Sequence, residues 1–312
     1  MQKAIIQLIA NSLSIPVKQV ESTLTLLEEG ATVPFISRYR KEATGNLDEV
    51  QIGDIKRLSE KYNEIQKRKD TILSAISSQG KLTDELQKRI IDCWDANELE
   101  DIYLPYKPKR RTKAEIAREK GLEPLAILIM QQKETDPEKK AKSFINEKVQ
   151  TEQDALNGAK DIIAEFLNEN ERSRNAIRQQ FRRTAVITSR IVKGKEEEGV
   201  KYRDYFDFNE PLKHCSSHRM LAMRRGESEG ILRIDISPDE ESSLNLLRKI
   251  FIKGNNACSQ LVNEAISDCY KRLLKPSIET EFASLSKQKA DDEAIKVFAQ
   301  NLHQLLLAPS WS

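Results

Sequence analysis

Between Leu104 and Gly121 the chain reads LPYKPKRRTKAEIAREKG, with seven basic residues against two acids. Lys107, Lys109, Arg110, Arg111 and Lys113 crowd its first half. Residues of this type do electrostatic chemistry: their cations neutralise phosphate oxygens along a backbone without reading bases. Residues 171–195 hold a second concentration, eight basic residues against one acid. There Arg174, Arg178 and Arg182 recur every four residues, which places them along one side of a helix. Arg38, Arg40 and Lys41 form a smaller third group.

Each group has a second reading. Ile177 and Phe181 lie beside the arginine stripe, so its stems could cover an apolar seam inside a packed, salt-bridged helix. Arg38 and Glu42 stand four apart, the spacing of an ordinary helix ion pair. Tyr103 and Tyr106 are the aromatics beside the first cluster, and they either offer a ring for base stacking or anchor the turn to a helical core.

Other chemistries lack their residues. The sequence contains no GxGxxG, GxxxxGK[ST] or GxSxG motif. HCSSH places His214 and His218 four apart with Cys215 between, but a zinc site needs three or four ligands and no second cluster supplies them. The expectation is a non-catalytic chain with no metal and no cofactor.

Composition sets the scaffold. Charged residues make up 32% of the 312 positions and aromatics 6%, with only 11 glycines and 10 prolines. Few turn-formers among many Lys, Glu, Leu and Ala residues predict long helices. A net charge of +2 means that attraction for a polyanion must come from local clusters. Four cysteines without a CxxC pair read as free thiols in a reducing cytoplasm. No apolar run is long enough to span a bilayer.

The expected elements follow from spacing. Val17–Glu29 is a helix ended by Gly30, and PFISRYRKEAT continues as a second helix to Gly45, so residues 16–45 have the outline of a helix-turn-helix or of a plain helical corner. Asp48 opens a long helix reaching Gly80, its seam built from Ile55, Leu58, Tyr62, Ile65, Ile72 and Ile76, with Lys69 in the one non-apolar slot. Pro105 and Pro108 forbid helix at the basic turn, and Thr112 with Glu115 caps the next one. EGILRIDIS alternates as a strand, and VITSRIV near 186–192 either pairs with it or is helical. From Pro238 to Leu307 the pattern is helical again, with Pro276 either breaking the run or starting a helix. The fold class is all-α and multi-helix, with a short strand or small hairpin near 186–236.

Five blocks carry a family resemblance: VPFISRYRKEATGNLDEVQ, LEDIYLPYKPKRRTKAEIAREKGLEPLA, VKGKEEEGVKYRDYFDFNEPL, SHRMLAMRRGESEG and LLKPSIETEF. They resemble the Tex family, bacterial RNA-binding transcription accessory proteins that share their core with a eukaryotic Spt-class elongation factor. The resemblance implies a mainly helical chain with a helix-turn-helix in its N-terminal domain. It also implies a following YqgF-like domain, a helix-hairpin-helix pair and an RNA-binding OB-fold of the ribosomal S-one type. NLHQLLLAPSWS ends where the YqgF-like domain is expected, so a truncation of the longer family architecture is implied. The expected organisation is a Tex-like N-terminal helical domain over 1–200 and a central helical region over 201–312. The expected role is sequence-independent contact with RNA or DNA through the phosphate backbone; the alternative is a scaffold that docks the transcription machinery.

Overall fold

Apolar spacings of three and four residues govern most of the chain, and the computed structural model, which describes residues 2–109 and 111–307, is mainly helical as that spacing requires. The chain divides between Lys107 and Pro108 into two compact units. The boundary expected near residue 200 falls inside the second unit.

The first unit comprises α1 (Gln2–Leu13), α2 (Val17–Glu28), α3 (Val33–Tyr39), α4 (Lys41–Thr44), α5 (Glu49–Ser78), α6 (Asp84–Asp92) and α7 (Ala96–Tyr103). Asp48 caps α5 reciprocally with Gln51. At 30 residues, α5 is about 45 Å long and serves two cores. Its start, through Ile52 and Ile55, packs with Ile5, Ile9, Val20, Leu24 and Ile36. Its far half, through Ile65, Ile72 and Ile76, packs with Leu86, Ile90, Leu99 and Ile102.

Lys69, the odd residue in that seam, is 1% exposed. Its Nζ donates to the Ile91 carbonyl at 2.6 Å and lies 3.4 Å from the centre of the Trp94 ring. Ile91 sits in the last turn of α6, where carbonyls lack helical partners, so the lysine acts as a C-terminal cap from another helix. Burial lowers its pKa from the ordinary lysine value, with Cys93 and nearby acids opposing.

The second unit comprises α8 (Lys113–Glu119), α9 (Glu123–Gln131), α10 (Pro137–Ala141), α11 (Glu152–Glu169), α12 (Glu171–Thr184), β1 (Val186–Ile191), β2 (Asp207–Pro211), α13 (Ser217–Ser228), β3 (Leu232–Ser237), α14 (Glu240–Phe251), α15 (Ala257–Cys269) and α16 (Lys275–Leu307). One large core joins Leu125, Ile163, Ile177, Phe181, Ile187, Met223, Val262 and Tyr270. The sheet runs β2-β1-β3 with both pairings antiparallel. The alternating stretch at 232–237 forms as the pattern requires, residues 186–191 take the strand alternative beside it, and β2 adds a third strand. Glu279 of α16 accepts the Ile236 amide at 3.0 Å, covering part of the outer edge of β3.

Between α15 and α16 lies a π turn, Tyr270–Leu274. Pro276 occupies the second position of α16, so it starts that helix rather than ending the run. Proline cannot donate to the carbonyl four residues back, and the wide turn just before it absorbs the break. Among the described residues, no helix is long and apolar enough to cross a membrane.

Candidate nucleic-acid interface

The basic turn is partly engaged inside the second unit. Thr112 caps α8, accepting from the Glu115 amide at 3.1 Å, and its hydroxyl donates to Glu165 at 3.0 Å. Lys109 pairs with Glu165 at 3.0 Å and also with Glu169, and Arg118 reaches Glu165 at 2.6 Å. Glu165 on α11 is therefore a buried acid holding three donors from the basic segment. Burial pushes its carboxyl up, but the Arg118 and Lys109 hydrogen bonds outweigh this and leave it below the ordinary range. Burial raises Glu169, only partly offset by Lys109. Arg111 stands exposed, 3.6 Å from Glu119, a pairing of little energy in water. Lys107 and Lys113 are exposed, and Lys113 is the first residue of α8. Arg110 lies outside the described residues.

Tyr103 and Tyr106 follow their anchoring reading. Tyr103 is buried beneath the Arg68 guanidinium, and Tyr106 packs against the same core while its carbonyl accepts from Gln79 at 2.8 Å.

The arginine stripe of α12 is split. Arg178 grips Glu281 of α16 with two bonds of 2.8 and 3.1 Å and donates to Asn175 at 2.9 Å. One turn earlier, Arg174 reaches Ser277 at 3.2 Å. Both pairs are separated by 103 positions, so α12 and α16 run parallel and meet through a two-rung polar ladder. Each arginine is 6% exposed, which puts its guanidinium beyond a phosphate's reach. Only Arg182, at the exposed end of α12, remains available from the three. A four-residue repeat in sequence does not distinguish these positions, because the partners lie on a helix a hundred residues away.

The third group is presented differently. Thr32 caps α3, and Pro34 takes its second position, where no amide donor is needed. Ile36 is fully buried and fixes α3 by one face. At Arg40 the backbone leaves helical geometry, with φ −126° and ψ 25°. Residues 38 and 42 are therefore not one turn apart on a single helix, and no ion pair joins them. Gly45 ends α4 at φ +69°, and a Cβ there would lie 2.2 Å from the side-chain nitrogen of Gln19. That close approach seats α4 on α2 and holds the corner. Arg38, Arg40 and Lys41 are exposed and make no ion pair among the described residues. Phe35 and Tyr39 share their surface, 42% and 69% exposed, with ring centres 5.3 Å apart. The Arg40 guanidinium lies 5.8 Å from the Phe35 ring centre. Sequence reasoning missed these rings because two aromatics four apart on an amphipathic helix normally mark its buried side. The signal that could have found them is Ile36, the residue between them in sequence, which α3 buries in their place.

Around the HCSSH segment, Cys215 is half-buried and its thiol is pushed up to about 11, chiefly by burial. His218 meets the Ser216 hydroxyl at 3.2 Å. Among the described residues no group of three His, Cys, Asp or Glu side chains is placed to hold a metal ion.

Comparison with known proteins assigns the two units to one lineage. A family model described as Tex central region-like matches residues 132–298, and one described as Tex-like protein N-terminal domain matches 3–77. The chain belongs to the Tex family. Protein YhgF of Escherichia coli is 40% identical over 320 residues, covering 99% of this chain and 41% of that protein. The transcriptional accessory protein Tex of Neisseria gonorrhoeae is 38% identical over 313 residues, covering 97% and 41%. The human S1 RNA-binding domain-containing protein 1 is 27% identical over 303 residues, covering 91% and 30%. The chain thus spans about two fifths of the length of its bacterial Tex relatives. On this Tex chain the α3–α4 corner falls within the N-terminal domain match and the α12–α16 ladder within the central match. The basic turn lies between the two matched ranges.

Proposed function

We propose that this chain is the N-terminal and central part of a nucleic-acid-binding transcription accessory protein, to which it contributes non-catalytic, sequence-independent contacts to the phosphate backbone. RNA or DNA is the expected polymer and the cytoplasm the expected compartment. The observation that carries the reading is the α3–α4 corner. Arg38, Arg40 and Lys41 stand there exposed and in no ion pair among the described residues, with Glu42 as the neighbouring acid, at the end of a helix-turn-helix-like α2–α3 pair. Lys107, Arg111, Lys113 and Arg182 are the remaining exposed members of the basic groups. The relatives' names, a transcriptional accessory protein and an S1 RNA-binding domain-containing protein, support the same class of activity.

A second reading has its own support. Lys109, Arg174 and Arg178 bind acids or hydroxyls within the second unit, which is scaffold work. That unit also carries an apolar groove of about 360 Å³ lined by Ile127, Met130 and Phe166, a surface suited to docking a protein.

The test is fluorescence anisotropy of the 312-residue chain with labelled oligonucleotides across a salt series, beside an Arg38→Gln/Arg40→Gln/Lys41→Gln variant. These side chains are exposed, so circular dichroism should show an unchanged fold. Neutralising three phosphate contacts should flatten the dependence of log affinity on log salt by about 2–3. An unchanged slope refutes the corner's role. Absence of binding at low salt leaves the scaffold reading in its place.

A further inference from the structure

Resting on the reading above, we infer that the α3–α4 corner takes single-stranded nucleic acid, with unpaired bases stacked on Phe35 and Tyr39 while Arg38, Arg40 and Lys41 hold the adjoining phosphates.

From Phe35 to Lys41 the chain carries two rings and three cations and no acid. Ile36 supplies the burial that anchors α3, so the two aromatic side chains are not spent on the core. Tyr39 is 69% exposed, more than any other aromatic residue among those described. The ring centres are 5.3 Å apart and the planes are inclined at 43°. That spacing is too small to admit a base between them, since stacked planes lie about 3.4 Å apart and a sandwiched base needs about twice that. Both rings are open to solvent, so two successive splayed bases can cover one ring each. The Arg40 guanidinium borders the Phe35 ring at 5.8 Å, placing positive charge where the linking phosphate would run.

The charge complementarity selects a polyanion, and the rings select among polyanions. A duplex keeps its bases stacked on one another and offers an exposed ring nothing, whereas every base of a single strand has a free π-face. An acidic protein segment would use the cations and leave both rings wet. Stacking is tolerant of base identity, so the preference is for strandedness rather than sequence.

The experiment compares three labelled 12-mers: single-stranded RNA, single-stranded DNA of the same sequence, and the corresponding DNA duplex. Wild-type chain, Phe35→Leu/Tyr39→Leu and the Arg38→Gln/Arg40→Gln/Lys41→Gln variant are titrated at matched salt. The leucine variant keeps an apolar surface on α3, and circular dichroism checks its fold. The expected result is at least about tenfold tighter binding of both single strands than of duplex by wild type. The leucine variant should lose about tenfold on single strands, keep its duplex affinity and keep its salt slope. A gain confined to RNA, lost in the same variant, assigns the strand's 2′-hydroxyl a part in recognition and also supports the inference. Equal affinity for duplex, or single-strand binding untouched by the leucine variant while the cation variant weakens it, overturns the stacking and leaves the phosphate reading standing. No binding to any of the three overturns both.

Discussion

Arg178→Met is the perturbation that best separates a structural arginine from a nucleic-acid ligand. Arg178 is 7% exposed at its side chain and Glu281 is 12% exposed, with two bonds of 2.8 and 3.1 Å between them. Methionine keeps much of the stem volume but strands a buried carboxylate, and breaking one side of such a pair costs about 3–5 kcal/mol. Replacing both partners, Arg178→Met with Glu281→Met, removes the stranded charge and should return the chain to within about 1–2 kcal/mol of wild type. The cycle is read by urea unfolding followed by far-UV circular dichroism, with hydrogen exchange locating the change in α12 and α16. Nucleic-acid affinity should not change in the double variant. A single variant that costs less than about 1 kcal/mol, or a double variant as unstable as the single, refutes the assignment of this pair as a buried lock.

Two further perturbations test the interior of each unit. The folded-state pKa of Glu165 lies below its unfolded value of 4.5, so its stabilising share is full above 4.5 and is lost as pH falls through the lower folded value. Glu165→Gln should therefore lower the urea midpoint near neutrality and bring variant and wild type together in acid; a gap that widens toward low pH would contradict it. In the first unit, Lys69→Met replaces a desolvated ammonium with an apolar side chain of similar length and should change stability by less than about 1.5 kcal/mol. Lys69→Ala, which opens a hole against Trp94, should cost about 2–4 kcal/mol, and equal losses in the two variants would argue against packing as the source.

What the sequence made legible was mostly local. Asp48 with Gln51 and the alternation at 232–237 rest on contacts a few residues apart and form as the pattern requires, while Thr112 caps the Glu115 amide without the reciprocal half of the expected box. The unbroken three-four spacing of α5 even marks Lys69 as anomalous, though not that the ring of Trp94 and the end of α6 receive it. The misses are long-range. Glu165 and Glu281 are ordinary surface acids by composition, and nothing near them announces that Lys109 or Arg178 will arrive from another helix. The β2 strand escapes because Asp207, Asn209 and Pro211 are poor strand formers that an edge position tolerates. At the candidate site the cations were visible in sequence, but the exposure of Phe35 and Tyr39 depends on which face Ile36 buries.

The π turn at Tyr270–Leu274 has a consequence for how one rod serves two sets of neighbours. Ahead of the turn, α15 packs against α9 and α11; beyond it, α16 packs against α12, α13 and β3. A residue added to an α-helix rotates everything downstream by about 100° about the axis. The wide turn makes that angular correction between Ile266 on α15 and Ile278 on α16, both fully buried. Without it the rod would be in phase with only one set, and Ser277 and Glu281 would swing away from Arg174 and Arg178 together. The turn works as a keyed coupling: it lets two amphipathic stripes of different azimuth share a single shaft, and it sets the angle at which the parallel ladder can close.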